Sequence, residues 1–183
     1  PNSHCPAQRM RLFIHFTSKA GMDIEGLGKK AMEQLFNEKI VQDIPDIYNL
    51  KITDLVVLDR WAEKSARNAI EAINNSRETT LATLLSALGV RYVGEEGANL
   101  LDEHYGGSLE NLMKASEEEL LEIEGIGPQT AKSIRDYFQD PEVIEMLTQL
   151  KDLSISITAS QKSPGDSPFS GFVFLFTGSL DAM

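Results

Sequence analysis

The sequence has a single cysteine, Cys5, so no disulfide framework can form within the chain. It has no apolar run of membrane-spanning length, and its N-terminus lacks the basic and then apolar segments of a secretory signal peptide. Basic residues are also scarce: 17 Lys and Arg stand against 28 Asp and Glu, and the formal net charge is −11. These absences argue against a disulfide-stapled secreted domain and a membrane-spanning protein. We expect an intracellular, cytoplasmic protein.

The acidic balance also argues against a nucleic-acid binder that works by general electrostatic attraction, because non-specific DNA affinity usually comes from clustered Lys and Arg. What is present is ordinary for a soluble globular protein of one or two domains. The chain has 183 residues, of which 42% are hydrophobic and 25% are charged, enough for a sizeable core.

The most informative stretch is residues 123–134, Ile-Glu-Gly-Ile-Gly-Pro-Gln-Thr-Ala-Lys-Ser-Ile. Its two glycines flank one apolar residue and can take the positive φ angles of a tight turn. Pro128 suits the first position of a helix that follows. The unpaired N–H groups at such a helix start can hold a phosphate without any charged side chain. Ala131 is small enough to let the two flanking helices approach closely.

The same pattern recurs, with one degenerate copy, at a nearly constant interval. The closing residues Gly28, Ala62, Gly94 and Gly127 are separated by 34, 32 and 33 positions. A period this regular indicates stacked helical repeats, whereas one isolated Gly-x-Gly would more often be an ordinary helix–turn–helix connection. We number the copies hairpins 1 to 4: residues 24–28, 58–62, 90–94 and 123–127.

Periodicity and capping residues predict an all-α domain built from two paired units, with Gly28 and Gly94 in equivalent places 66 positions apart. A loop is expected over 43–49, and no strand is expected up to residue 150. The predicted helices cover residues 9–18, 29–38, 50–58, 63–76, 81–88, 95–104, 109–114, 120–124, 131–139 and 142–150.

The sequence divides into four parts. Residues 1–8 are expected to be irregular and residues 9–159 to form the helical domain. Residues 160–168 are rich in Ser, Pro and Gly, as in a flexible linker. In the last part, 169–183, the apolar run 172–177 has the composition of a buried strand. A strand without partners is not stable by itself, so we expect the start of a truncated second domain in a fragment of a longer protein.

Order and spacing together resemble the bacterial NAD-dependent DNA ligases. The N-terminal segments match the junction between the zinc finger and the tandem helix-hairpin-helix domain of this family. The central segments match the family hairpins, and the C-terminal segment matches the opening of the BRCT domain. The resemblance covers nearly the whole chain. The matching segments are residues 5–8, 11–16, 22–28, 63–66, 88–95, 124–128 and 169–180.

This resemblance implies that Cys5 is the last of four zinc-ligating cysteines, the other three lying before Pro1. Family ligases seal nicks with NAD and magnesium through a lysine–adenylate, but the sequence has no Lys-x-Asp-Gly nucleophile motif. The fragment is therefore expected to have no catalytic residue, to bind no cofactor by itself, and to be inactive alone. Its implied partners are nicked duplex DNA, in replication and repair, and the other domains of the same ligase chain.

The expected contact is with DNA phosphates, and it does not depend on base sequence. Hairpins 1 and 4 are the stronger candidates, because hairpin 2 carries Arg60 and Ala62 at the glycine positions and hairpin 3 is followed by Glu95 and Glu96. The predicted phosphate-binding residues are Gly26, Gly28, Lys29, Lys30, Lys64, Arg91, Gly94, Gly125, Gly127 and Lys132.

Two other functions fit parts of the sequence. One is a tandem helix-hairpin-helix module of a different DNA repair or recombination protein, although such modules usually carry two hairpins and would not explain residues 5–8 or 169–180. The other is an acidic protein-interaction scaffold in which the hairpins are only structural turns. A scaffold would show no preference for DNA over a neutral polymer.

Overall fold

The computed structural model describes residues 6–160, and these are mostly helical, as the sequence predicts. Within them, none of the helices is both long and apolar enough to cross a membrane. The elements in chain order are α1 (Pro6–Thr17), α2 (Lys29–Asn37), α3 (Ile44–Asn49), α4 (Ile52–Val56), α5 (Glu63–Asn75), β1 (Glu78–Thr80), α6 (Leu81–Leu88), α7 (Glu95–Tyr105), α8 (Leu109–Lys114), α9 (Glu117–Leu121), α10 (Pro128–Gln139), α11 (Pro141–Asp152) and β2 (Ser156–Thr158).

Each hairpin joins two helices that pack against each other: α1 with α2, α4 with α5, α6 with α7, and α9 with α10. In the last three pairs the second helix places an alanine in the contact, and Ala66, Ala98 and Ala131 are all 0% exposed. A methyl side chain at this point allows the close approach that the sequence predicts for Ala131. The predicted all-α fold with four hairpins is confirmed.

The hairpins fall into two units, α1–α5 and α6–α10, each with the order helix-hairpin-helix, short helix, helix-hairpin-helix. Helices α1 and α6 join the units, and His15 Nε2 lies 2.7 Å from the carbonyl oxygen of Ser86. Helix α11 then packs on α3 of the first unit. One continuous hydrophobic core runs through both units.

The prediction of a loop over 43–49 is wrong, because these residues contain helix α3. The Asp43 carboxylate accepts from Ile44 N at 2.8 Å, and Asp46 Oδ2 accepts from Gln42 N and Asp43 N at 2.8 and 2.9 Å. These reciprocal bonds form a capping box around Pro45, which occupies the first turn, where proline is tolerated. The short helix buries Ile44, Ile47 and Tyr48 in the core.

The expectation of no strand up to residue 150 is also wrong, because residues 78–80 form β1. Strands β1 and β2 pair in parallel, with Glu78 opposite Ser156 and Thr80 opposite Thr158. Arg77, just before β1, stabilises the pair: its carbonyl accepts from Ser156 N at 2.7 Å, and its guanidinium donates to the Tyr48 carbonyl at 2.8 Å. This three-residue ladder attaches the chain after α11 to the region between the two units.

Helix α1 begins at Pro6, so residues 6–8 are helical, although the segment 1–8 is predicted to be irregular. Helix α9, before hairpin 4, begins with a capping box: Ser116 N donates to Glu119 Oε2 at 2.7 Å, and Glu119 N donates to Ser116 Oγ at 3.1 Å. Cys5, the remainder of the linker and the apolar run 172–177 lie outside the described residues.

Candidate nucleic-acid interface

All four hairpins have the same backbone conformation. The N–H of the fourth residue donates to the carbonyl of the first at 3.0 to 3.3 Å, which closes a four-residue turn. The third residue has a positive φ in every copy: 90° at Gly26, 70° at Arg60, 64° at Tyr92 and 96° at Gly125. A positive φ at this position is typical of a type II turn, where glycine is favoured. Arg60 and Tyr92 therefore hold a left-handed conformation that costs a residue with a Cβ about 1–2 kcal/mol.

The residue that ends each hairpin is the N-cap of the next helix and does not have a positive φ. Gly28, Ala62, Gly94 and Gly127 have φ between −100° and −70° and an extended ψ. The expectation of a positive φ at both glycines of hairpin 4 is therefore confirmed for Gly125 and wrong for Gly127. Gly28 and Gly94 have the same extended conformation as Gly127. Any residue can adopt their backbone conformation.

The helix starts after hairpins 1, 3 and 4 have no side-chain cap. In hairpin 1, the first bond into α2 runs from Met32 N to the Gly28 carbonyl, and within residues 6–160 no acceptor lies against the N–H groups of Lys29, Lys30 and Ala31. Hairpin 2 differs, because Ala62 N donates to Ser65 Oγ at 3.0 Å. Hairpin 4 offers one donor fewer, since Pro128 has no N–H.

The two glycines of a hairpin have different surroundings. A Cβ on Gly26 would lie 3.2 Å from the Ala69 Cβ, and a Cβ on Gly125 would lie 2.8 Å from Leu100 Cδ1. The first glycine therefore allows the hairpin to pack on a neighbouring helix. A Cβ on Gly28 or Gly127 would meet nothing within 4 Å, so packing does not require glycine at the N-caps. Their missing side chains instead leave the free N–H groups open to a ligand.

These contacts join hairpins 1 and 2. Gly26 of hairpin 1 packs on α5, the helix that follows hairpin 2. In return, Gln34 of α2 donates to the Asp59 carbonyl of hairpin 2 at 3.1 Å and accepts from the Trp61 indole at 3.1 Å. Each hairpin is thus held by the helix that follows its partner.

Hairpins 3 and 4 are joined in the same reciprocal way. Gly125 of hairpin 4 packs on Leu100 of α7, the helix after hairpin 3. Ser133 of α10, the helix after hairpin 4, donates to the Arg91 carbonyl of hairpin 3 at 2.7 Å. The two-unit organisation predicted from the 66-residue spacing is therefore confirmed in the packing.

Comparison with known proteins identifies the same elements. The family model described as "Helix-hairpin-helix motif" matches residues 83–147, which contain hairpins 3 and 4. A DNA ligase of Methylococcus capsulatus is 44% identical over 180 residues, which are 98% of this chain and 27% of that protein. A DNA ligase of Bacillus pumilus is 37% identical over 187 aligned positions, which cover 100% of this chain and 28% of that protein.

The chain corresponds to a region of bacterial DNA ligases. It spans about a quarter of the length of the curated relatives it matches.

The predicted cations of this ligase region are exposed, and they lie on or beside the hairpins. Lys29 and Lys30 open α2, and the Lys29 ammonium has only a distant ion pair, 3.9 Å from Glu33. Arg91 in hairpin 3 lies over the Tyr92 ring, 4.7 Å from its centroid. The remaining two are Lys64, in the first turn of α5, and Lys132, in the second turn of α10.

Arg60 is a further candidate for phosphate binding. It is not among the residues predicted from the sequence, because it stands at a glycine position of hairpin 2. Arg60 lines a cleft of about 630 Å³ between hairpins 1 and 2, together with Gly26, Lys30 and Trp61. The cleft brings two cations together from positions 30 residues apart. The only signal in the sequence is the presence of basic residues in or just after both hairpins, at Lys29, Lys30, Arg60 and Lys64. The degenerate form of hairpin 2 made this signal hard to recognise.

Acidic side chains restrict the interface. The second position of the hairpins is Glu25, Asp59 and Glu124 in hairpins 1, 2 and 4, and only hairpin 3 has a base there, Arg91. At the start of α5, a hydrogen bond from Arg67 holds the pKa of the Glu63 carboxyl below its usual value, with the Arg67 charge adding to the effect. Arg67 is therefore partly neutralised by Glu63. Within residues 6–160 no group of three His, Cys, Asp or Glu side chains is placed to hold a metal ion.

Proposed function

We propose that this chain binds nicked duplex DNA through backbone phosphates, independently of base sequence, as the helix-hairpin-helix part of an NAD-dependent DNA ligase. The observation that carries the proposal is the open helix start after hairpins 1 and 4. Gly28 and Gly127 leave free space over N–H groups that have no acceptor within the described residues, 6–160. A helix N-terminus of this kind favours an anion through both its N–H donors and its dipole.

The net charge of −11 is compatible with this proposal if the attraction is local. Acids do lie in the hairpins, at Glu25, Asp59 and Glu124. However, Lys29 and Lys30 open α2 and Lys132 lies in the second turn of α10, close to the helix starts that would meet phosphate. A few cations and a few N–H groups give weak binding. We therefore expect the isolated chain to bind weakly and to rely on a more basic part of a longer ligase.

The enzyme to which this region belongs would seal nicks in replication and repair in the cytoplasm, with NAD and magnesium. Residues 6–160 would supply N–H donors and cations for holding DNA. They contain no nucleophile motif for nucleotidyl transfer. Cys5 would be one of four ligands to a zinc ion, and residues 169–183 would open a BRCT domain. One tightly held zinc per isolated chain, measured by elemental analysis, would contradict the assignment of Cys5 as a single ligand of a larger site.

Titration of labelled duplexes tests the binding proposal. Affinity should fall as salt rises, and unrelated duplexes of equal length should differ by less than about tenfold, because phosphate contacts carry no sequence information. A nicked duplex should bind at least as well as a continuous one. Binding to duplexes no better than to a neutral polymer would favour the acidic scaffold instead.

Charge variants test whether the hairpins form the contact. Lys30→Gln and Lys132→Gln should each lower the slope of affinity against salt by about one counterion. Lys114→Gln, a matched exposed lysine at the end of α8, should leave the slope unchanged. An equal effect of all three variants would mean that only net charge matters.

A further inference from the structure

Tyr92 has an exposure that the phosphate contact does not explain. Its side chain is 51% exposed, and it is the only Phe, Trp or Tyr among residues 6–160 with such exposure. It occupies the third position of hairpin 3, where hairpins 1 and 4 carry glycine because a neighbouring helix comes close. Hairpin 3 therefore holds an aromatic ring at a turn tip, in a left-handed conformation with φ 64°.

The backbone that carries the ring is held beside hairpin 4. Thr130 and Ser133 of α10 donate to the carbonyls of Tyr92 and Arg91, at 3.5 and 2.7 Å. Because α10 begins directly after Gly127, these bonds place Tyr92 next to the open helix start of hairpin 4. The Arg91 guanidinium lies over one side of the ring and adds a positive charge at the position where the other three hairpins carry a carboxylate.

We infer that Tyr92 stacks on the base next to a break in one strand of duplex DNA, while the adjacent helix start of hairpin 4 holds a phosphate. Internal phosphodiesters look alike in continuous and interrupted duplexes, so N–H groups that hold them cannot distinguish the two. A break lets the flanking bases unstack and expose a face, and an aromatic ring stacks on any base without sequence preference. Tyr92 thus gives the surface its preference for interrupted DNA. This inference rests on the proposed function.

The test uses the whole 183-residue chain and three duplexes of one sequence: continuous, nicked, and with a one-nucleotide gap. The wild-type chain should prefer the gapped duplex over the continuous one. Tyr92→Leu keeps an apolar side chain with a Cβ but removes the ring, and it should weaken binding to the gapped duplex about fivefold or more, the effect of one lost base stack. Tyr92→Phe keeps the ring and should retain the preference. The control is Val57→Ala, at a side chain that is 76% exposed but lies outside the third hairpin position. It should leave the affinity for all three duplexes unchanged.

A 2-aminopurine base beside the gap gives a second readout. Its fluorescence should change on binding of the wild-type and Tyr92→Phe chains, and not with Tyr92→Leu. If all three chains bind the gapped duplex equally and give the same fluorescence, the role of Tyr92 is overturned while DNA binding stands. If the wild-type chain binds none of the duplexes better than a neutral polymer, the proposed function fails, and this inference fails with it.

Discussion

Ser133 donates from its hydroxyl to the carbonyl oxygen of Arg91 across 2.7 Å, and this bond joins the helix after hairpin 4 to hairpin 3. Gln34 and the Asp59 carbonyl, 3.1 Å apart, form the counterpart in the first unit. In both units a helix that begins at one hairpin holds the backbone of the other. The hairpins are therefore positioned in pairs, and a ligand that meets one of them lies close to its partner.

Loss of the Ser133 hydroxyl should loosen the second pair. Ser133→Ala is expected to lower the free energy of unfolding by about 1 kcal/mol, the usual effect of one lost hydrogen bond, and to weaken DNA binding. Thr148→Ala is the control, since its hydroxyl bonds to Ile144 within α11 and joins no hairpins. Urea unfolding and duplex titration measure the two effects. If both variants lost the same stability but neither lost affinity, the pairing bond would have no part in binding.

The two glycines of hairpin 1 should respond differently to valine. Gly26→Val places a β-branched residue at φ 90° and against Ala69, and it should destabilise the fold by about 2–4 kcal/mol. Gly28→Val meets no steric conflict, and it should cost about 1 kcal/mol or less as a poorer N-cap while weakening DNA binding by covering the N–H groups. Melting curves and titrations on both variants check this. Equal destabilisation by the two changes would contradict the conformational assignment.

Hairpins 2 and 4 provide a comparison of binding strength. Gly127→Val should lower DNA affinity more than Ala62→Val, because Ala62 already carries a methyl group and its N–H is engaged with Ser65 Oγ. Neither position has a positive φ, so both variants should stay folded. Fluorescence anisotropy with one nicked duplex gives the ranking. A greater loss with Ala62→Val, at unchanged melting temperature, would show that the glycine helix starts are not the main phosphate contacts.

The capping box of α3 should contribute to stability and not to binding. Asp46→Ala removes the acceptor of two backbone N–H groups and should lower the free energy of unfolding by about 1 kcal/mol. Glu118→Ala, an exposed carboxylate in the first turn of α9, is the charge-matched control. DNA affinity should be the same for both variants. Unaltered unfolding of the Asp46 variant would mean that the tertiary contacts of Ile44 and Ile47 alone form this helix.

The isolated chain should not react with NAD. Because it lacks a Lys-x-Asp-Gly motif, incubation with labelled NAD and magnesium should leave no labelled AMP on the polypeptide. An active full-length bacterial DNA ligase, incubated in parallel, shows that the assay detects the adduct. Stoichiometric labelling of the 183-residue chain would refute its assignment as a non-catalytic part.

The internal repeat of the sequence also locates helix α3, for which a loop was predicted. Counting 66 positions back from α8 (Leu109–Lys114) leads to 43–48, almost the span of α3 (Ile44–Asn49). The internal repeat that located the hairpins therefore also predicts this helix, and Asp43 with Asp46 supplies its cap. Pro45 suggested a loop only when it was considered alone, whereas in the first turn it is compatible with a helix.

The amino-acid sequence by itself determined the helices, the four hairpins and their two-unit order, because capping residues, glycines and apolar periodicity act within a few positions of one another. Only the tertiary structure decided which glycine of a hairpin packs on a neighbouring helix and which leaves its helix start uncovered. It placed Arg60 and Lys30 in one cleft and Tyr92 beside hairpin 4. It also paired β1 with β2. These outcomes depend on contacts between residues 25 or more positions apart, such as Gly26 with Ala69 and Arg91 with Ser133. No local pattern specifies which distant side chain will meet a turn.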